Sequence, residues 1–285
     1  MGLVLLIVML RPLCWWASRM VTMLYHKAAV WLLKAKQRDE VAGLWSQLKV
    51  RYPKMSQIVQ ARLTTSHFSG LLLTLIIVVM LYLLALFAGL VEELLEAEEL
   101  IHIDYWINEQ LTLIRTDSTL MAFAWLTDLG GAPALIAVAV VATGIFWAHH
   151  MSGFITPLWL TVLGSQLMTY TGKFLLQRPR PESVTDLVEI TPSFPSGHAT
   201  SALAFYGFMA YIISRGLSSA RQRFELIYWA AMLILLIGGS RLVLSVHYAS
   251  DVVAGFLVGS FWLLMGMAVA ELIHRKWQHQ SSGER

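Results

Sequence analysis

Cysteine is nearly absent, with Cys14 the only one in 285 residues. A single thiol excludes an intramolecular disulfide and any zinc cluster built on cysteines. Charge is also scarce: Asp, Glu, Lys and Arg make up 14% of the chain, where an ordinary soluble domain carries roughly a quarter. With 57% apolar residues and a mean hydropathy of +0.62, that shortage makes lipid the solvent for most side chains. The net charge is only +3 and no basic stripe is interleaved with aromatics, so no nucleic acid is expected as a partner. The first residues lack the marks of a cleaved leader, since no basic residue precedes Leu3–Leu10 and no small-residue cleavage site follows. Met1-Gly2-Leu3-Val4-Leu5-Leu6 also lacks the Ser or Thr that a myristoylation signal carries at its sixth position. Internal repeats and low-complexity tracts are missing too.

Long apolar runs are present in number. A membrane-crossing helix needs about 20 predominantly apolar residues, and six stretches approach that: 68–91, 131–148, 154–172, 199–213, 226–244 and 252–270. The expected fold is therefore all-α, a polytopic membrane helix bundle with a core of six transmembrane helices. The fourth stretch is short and borrows length from Ser196–His198 or Ser214. Residues 1–17 are apolar apart from Arg11 and are interrupted by Pro12, which makes them marginal as a span. Residues 18–67 are basic, with Val41, Leu44, Trp45 and Leu48, then Met55, Ile58, Val59 and Leu63, at helical spacing. Helices lying at the interface with Lys and Arg toward headgroups fit this pattern, and a solvated helical linker fits it equally. The organisation expected is an N-terminal segment over 1–67, a six-span domain over 68–272 and a tail over 273–285.

Lys and Arg set the orientation. Residues 18–67 hold nine of the 21, the loop with Arg215, Arg221 and Arg223 adds three, and Arg275, Lys276 and Arg285 follow at the end. With six spans these regions share one side, which the positive-inside bias makes cytoplasmic. The opposite side carries 13 of the 18 acidic residues and only Arg115, Lys173, Arg178, Arg180 and Arg241 as cations. Its acidic stretch Glu92, Glu93, Glu96, Glu98, Glu99 and Asp104 reads better as a solvated helix end than as a metal site.

Three clusters gather on that cation-poor side. The first runs from Lys173 to Arg180-Pro181, the second is Pro195-Ser196-Gly197-His198, and the third is Ser240-Arg241, then His247 and Asp251. Lys173, Arg180 and Arg241 offer three cations, and the planar Arg fork suits phosphate oxygens. Ser196 and Gly197 precede a helix, so their backbone N–H groups can face an anion. His247 and Asp251 are four apart, on one face of a helix. There the carboxylate can hold one imidazole nitrogen as N–H and leave the other free to attack phosphorus. His198 remains as an acid for the departing oxygen. Taken singly, each has a plainer reading. Lys173 and Arg180 suit interfacial anchors, Pro195–Gly197 an ordinary turn before a helix, and His247 a satisfied interior histidine. Arg241 resists one, because an arginine between two spans on that side contravenes the charge bias.

The three strings in this order resemble the signature of the type 2 phosphatidic acid phosphatase superfamily, over roughly 68–272. The resemblance implies catalysis without metal or other cofactor through a phosphohistidine. His247 would be the nucleophile, Asp251 its orienting partner and His198 the general acid, with Lys173, Arg180, Ser196, Gly197 and Arg241 binding phosphate. The spacing between Lys and Arg selects Arg180 over Arg178, which is left as a spare cation for a headgroup. The function expected is hydrolysis of a lipid phosphate: polyprenyl diphosphate first by family habit, phosphatidylglycerol phosphate or phosphatidic acid otherwise. The setting is a bacterial cytoplasmic (inner) membrane, with the site on the extracytoplasmic face. A lipid phosphotransferase would use the same residues, and a non-catalytic scaffold or lipid transporter is the rival of another class. The family's soluble haloperoxidase branch is excluded by six spans, and nothing in the sequence sets the oligomeric state.

Overall fold

A computed structural model of the chain describes residues 2–36, 50–54, 56, 57, 70–96, 98–182, 184 and 189–283. Among them the regular structure is helical with no strand, so the all-α expectation holds. The helices are α1 (Gly2–Lys36), α2 (Leu71–Glu96), α3 (Glu98–Leu111), α4 (Asp117–Asp128), α5 (Ala132–Ala148), α6 (Ile155–Leu176), α7 (Gly197–Gly216), α8 (Ala220–Val243) and α9 (Ala249–Gly283). The chain divides into two compact units, Met1–Thr74 and Leu75–Arg285. In the first, α1 runs through Pro12 without a break, so the interruption expected there does not end the helix. The apolar spacings at Val41–Leu48 and at Met55, Ile58, Val59 and Leu63 lie outside the described residues.

Helices occupy all six stretches expected to cross the membrane. Among the described residues three are long and apolar enough to do so alone: α2, α8 and Ala249–His274 of α9. A fourth results if α4 and α5, bent by 41° at the intervening break, form one span. Helices α6 and α7 are less apolar, because they carry polar side chains turned inward. Thr161, Ser165, Thr169 and Lys173 of α6 are buried, as are Thr200 and Ser201 of α7. Interior helices of a membrane bundle need not be apolar on the face that meets protein. By contrast, α2 buries only Met80 and exposes Leu72, Leu75, Val78, Val79 and Leu81, a surface suited to hydrocarbon.

Local signals set several helix ends. Thr116 caps α4 by accepting the Thr119 N–H at 3.3 Å. Pro133 sits in the first turn of α5, where its missing N–H costs nothing. The centre of the bundle is α7, which buries Ala199, Ala202, Ala204, Phe205, Phe208, Ala210 and Ile212. Phe205, Phe208 and Ile212 join Leu135, Ala139 and Phe146 of α5 and Leu158 and Val162 of α6 in one apolar cluster. On its other side α7 meets α9 at two glycines. A Cβ on Gly255 would come within 2.7 Å of the Ser196 carbonyl oxygen, and one on Gly259 within 2.7 Å of that of Thr200. Lipid tails are as apolar as the helices, so close backbone approach at small residues is what holds such a pair together. That contact seats the start of α9 against the start of α7.

Candidate active site

Three chain reversals at one end of the bundle bring the candidate residues together. The first follows α6, where Gln177 adopts a left-handed φ of 44° and donates its N–H back to the Lys173 carbonyl at 3.1 Å. The next residues, Arg178 to Pro181, run along the end of the bundle. Ser193 clasps the returning strand of the loop: its N–H donates to the Arg178 carbonyl at 2.9 Å and its hydroxyl to the Pro179 carbonyl at 3.0 Å. At the second, Ser196 leads into α7. At the third, between α8 and α9, Ser245 has a φ of 54° and the N–H groups of Val246 and His247 both donate to the Arg241 carbonyl. The turn thus places His247 beside the arginine six positions earlier.

His247 and Asp251 are neighbours, but not as two residues on one helical face. Since α9 begins at Ala249, His247 lies in the preceding turn and Asp251 reaches back to it. The reason is the reversal at Ser245, which a continuous helix would not permit. Asp251 Oδ2 accepts the Tyr248 N–H at 2.8 Å and stands 3.4 Å from His247 Nδ1. That separation is long for a hydrogen bond, and the alignment leaves Nδ1 without a bonded partner. On the other side of the ring, Nε2 lies 3.3 Å from Arg180 Nη1. Arginine can only donate, so this contact favours the tautomer with Nε2 bare and the proton on Nδ1, facing Asp251.

A cavity of about 110 Å³ opens in front of this imidazole, lined by Lys173, Arg180, Gly197, His198 and His247 together with Glu189 and Thr191. The space is roomy enough for a small polyatomic anion. Five of the eight residues expected at the site line it. Asp251 stands behind His247. Arg241, 2% exposed, donates to Thr127 Oγ1 at 2.9 Å and to Glu189, while its Nε is buried without a partner. Ser196 differs from expectation. Its backbone N–H is taken by the Asp251 carbonyl at 2.9 Å, and its buried hydroxyl is the group left unpartnered. The N–H groups of Gly197 and His198, in the first turn of α7, have no intrahelical acceptor.

Two assignments change with the structure. Arg178, read as a spare cation for a headgroup, is turned inward instead, with its side chain 9% exposed. It donates from Nη1 to Asp251 Oδ1 at 2.6 Å and from Nη2 to Asp104 Oδ2 at 2.7 Å. Asp104, grouped with the solvated glutamates, is 1% exposed and accepts the Ser250 N–H at 2.9 Å. The glutamates Glu92, Glu93, Glu96, Glu98 and Glu99 are exposed as expected. Glu189, on the loop before α7, bonds Arg241 and lies 3.4 Å from Arg180 Nη2. Lys173 donates to Thr191 Oγ1 at 3.2 Å and to the Pro192 carbonyl. The acidic Asp186 of the same loop lies outside the described residues.

The charges act on one another. Burial pushes the His247 imidazole down to about 4, against the pull of Asp251 and with the help of Arg241 and Arg180. The ring is therefore a neutral base at ordinary pH. Burial alone would raise the Glu189 carboxyl, but Arg241, Arg180 and His198 hold it below the usual carboxylate range. Burial would likewise lower Arg178, yet Asp251 and Asp104 raise it, so this guanidinium is firmly a cation. An uncharged base beside a cationic, half-enclosed seat is an arrangement for attacking an anionic phosphoryl group.

The chain is similar to known proteins. Residues 154–275, which hold all three motifs, match the PAP2 superfamily. Phosphatidylglycerophosphatase B of Bacillus subtilis (strain 168) is 30% identical over 166 residues, 56% of this chain and 75% of that protein. Lipid A 1-phosphatase of Rhizobium etli is 30% identical over 118 residues, 38% of this chain and 47% of that protein. Among solved structures, the transmembrane PAP2 type phosphatidylglycerolphosphate phosphatase of Bacillus subtilis superposes with a TM-score of 0.61 at 25% identity. That superposition covers 66% of this chain and 94% of the other.

Proposed function

We propose that this chain, which belongs to the PAP2 superfamily and is a membrane phosphoric ester hydrolase, removes phosphate from a lipid by way of a phosphohistidine at His247. One observation carries the reading: His247 has Asp251 on its Nδ1 side and the donating Arg180 guanidinium 3.3 Å from Nε2, and it opens on a cavity that Lys173 and Arg180 make cationic.

The steps follow from the groups in place. The substrate phosphoryl group seats between Lys173, Arg180 and Arg241, with the Ser196 hydroxyl and the N–H groups of Gly197 and His198 as further donors. Nε2 attacks phosphorus in line, a P–N bond forms and the P–O bond to the lipid breaks. Asp251 stabilises the positive charge that spreads over the ring. His198, lining the same cavity, takes up a proton as the anionic phosphate seats beside it and gives that proton to the departing oxygen, which leaves as a lipid alcohol or a lipid monophosphate. It then takes a proton from water as the water oxygen attacks phosphorus, the P–N bond breaks, and inorganic phosphate departs. The likeness to phosphatidylglycerophosphatase B puts phosphatidylglycerol phosphate first among substrates, ahead of the polyprenyl diphosphate favoured on sequence, with phosphatidic acid third. The lipid enters from the outer leaflet of a bacterial inner membrane, since the site lies on the side poor in Lys and Arg.

Detergent-solubilised protein given one purified lipid phosphate at a time should release inorganic phosphate. A brief pulse of labelled substrate, quenched in alkaline denaturant, should leave label on His247. No release from any single lipid, with release only when a second lipid acceptor is present, would make the chain a phosphotransferase. Label persisting in His247→Ala would overturn the assignment of the nucleophile.

A further inference from the structure

Asp251 has two oxygens with different partners. Oδ2 takes the Tyr248 N–H and faces His247, whereas Oδ1 is bonded to Arg178 Nη1 at 2.6 Å. The same Nη1 is 2.7 Å from Ser250 Oγ, and the other arm of the guanidinium holds Asp104 at 2.7 Å. Asp104 in turn is fixed by the Ser250 N–H at 2.9 Å and by the Ser250 hydroxyl. The face of the guanidinium lies 4.3 Å from the centroid of Tyr248, whose ring is packed edge-on against Tyr105 at 5.5 Å. The two carboxylates are sealed, at 1% exposure for Asp104 and none for Asp251, and the Arg178 side chain between them is 9% exposed.

We propose that Asp104 and Arg178 are positioning residues, which hold the Asp251 carboxylate so that it orients His247 and which divide its charge between the imidazole and the guanidinium. The inference rests on His247 being the nucleophile. Neither residue reaches the cavity, so neither touches substrate. A carboxylate bonded at only one oxygen can turn about its own axis. With Oδ1 on Arg178 and Oδ2 on Tyr248 N–H, its plane is fixed, and Oδ2 is kept toward Nδ1. A guanidinium is required in this role. Two carboxylates, a hydroxyl and an aromatic face surround it, and a planar fork meets all four where an ammonium cannot. Asp104 keeps that fork in place from α3, whose Tyr105 packs on Tyr248 and whose Asn108 accepts from the Ser245 hydroxyl at 3.2 Å.

The remaining charges around the pair come from other elements. Lys173 is on α6, Arg180 and Glu189 are on the loop, His198 is on α7 and Arg241 is on α8, and the fields of Lys173 and Arg180 both reach Asp251. They lie toward the cavity and remain when Arg178 is changed. Arg178 is the cation bonded to the oxygen that faces away from His247.

The test reads His247 directly. Protein labelled with 15N-histidine in detergent micelles is titrated without substrate, and His247 is assigned by its loss in His247→Asn. In Arg178→Gln, Asp251 gives its whole charge to the imidazolium, so the His247 midpoint should rise by about one unit. Phosphoenzyme formation should slow by about a hundredfold. Arg178→Lys keeps the charge and loses the fork, so its midpoint should stay near the parent value while phosphoenzyme formation slows by about tenfold. Asp104→Asn should lower kcat and leave KM near the parent value. A bolt that merely tied α3 to α9 would lower the folded yield without moving the midpoint. An unmoved midpoint in Arg178→Gln, or equal midpoints in the Lys and Gln variants, overturns the proposal. Should Arg178→Gln not fold, a full rate in Arg178→Lys overturns it. Failure of the phosphohistidine reading is seen separately, as turnover surviving in His247→Ala.

Discussion

Glu189, at the wall of the cationic cavity, is ion-paired with Arg241, and its second carboxylate oxygen is 3.4 Å from Arg180 Nη2. A carboxylate therefore stands between two of the cations meant for phosphate. Because Glu189 is 30% exposed and Arg241 only 2%, the glutamate is the partner free to leave. An incoming phosphoryl group competes with it for the same guanidinium donors, and must displace it before Nε2 can reach phosphorus.

Glu189→Gln removes that competitor's charge while keeping its size. KM for a lipid phosphate should fall severalfold, and inhibition by vanadate or inorganic phosphate should tighten by a similar factor. The measurement is initial rates across lipid concentration in mixed micelles. If KM rises instead, Glu189 is aligning the arginines and not blocking them.

The neutral state of His247 has a consequence for acid stability. Its folded value of about 4 lies below the ordinary value near 6.5. Between those two pH values the unfolded chain binds the proton and the folded chain does not, so stability falls as the pH falls through that window. Thermal midpoints in detergent should drop from pH 6.5 toward pH 4. His247→Asn should drop less, and an equal drop in both proteins would show that the burial of this ring does not contribute.

The α7–α9 contact can be weighed with a matched pair of glycines. A Cβ on Gly255 meets the Ser196 carbonyl, which as backbone cannot easily yield, whereas one on Gly239 meets nothing within 4 Å. Gly255→Ala should destabilise by about 1–3 kcal/mol as overpacking. Gly239→Ala, in mid-helix, should stabilise by roughly 0.5–1 kcal/mol. Thermal midpoints of the two variants moving in the same direction would refute the close contact. Since Gly255 packs on Ser196, whose N–H holds the Asp251 carbonyl, its variant should lose activity below its melting range.

Much of this site was legible in the sequence because its chemistry is carried by short strings. The spacing chose Arg180 over Arg178, and it is Arg180 whose Nη1 lies 3.3 Å from His247 Nε2. His198 and His247, from different strings, line one cavity. What escaped depended on distance along the chain or on local backbone. Asp104 is 74 residues from Arg178, and nothing in its acidic neighbourhood distinguished the one buried carboxylate from the exposed ones. Its place on α3 opposite Tyr248 exists only once α3 packs on α9. The helical spacing of His247 and Asp251 suggested one face of a helix, but the left-handed Ser245 puts the histidine in a turn. The six apolar stretches are all helical, while α6 and α7 bury polar side chains that hydropathy alone counts against a span.

The side of the membrane on which the site lies follows from charge and can be tested with thiols. The loops before and after α7 lie at opposite ends of a 20-residue helix, about 30 Å apart at 1.5 Å per residue. The loop after α7 is followed by Arg221 and Arg223 and preceded by Arg215, whereas 182–194 carries Glu182, Asp186 and Glu189 and no Lys or Arg. Short loops follow the positive-inside bias most strongly, so the cavity end should face away from the cytoplasm. Cys14 is the sole thiol, and Cys14→Ala gives a silent background. In that background Ile190→Cys, at a position 93% exposed, should react with an impermeant maleimide added to intact cells. Ser218→Cys, exposed in the loop after α7, should react only once the membrane is opened. The reverse pattern would put the cavity on the cytoplasmic side, and lipids of the outer leaflet could not then be its substrates.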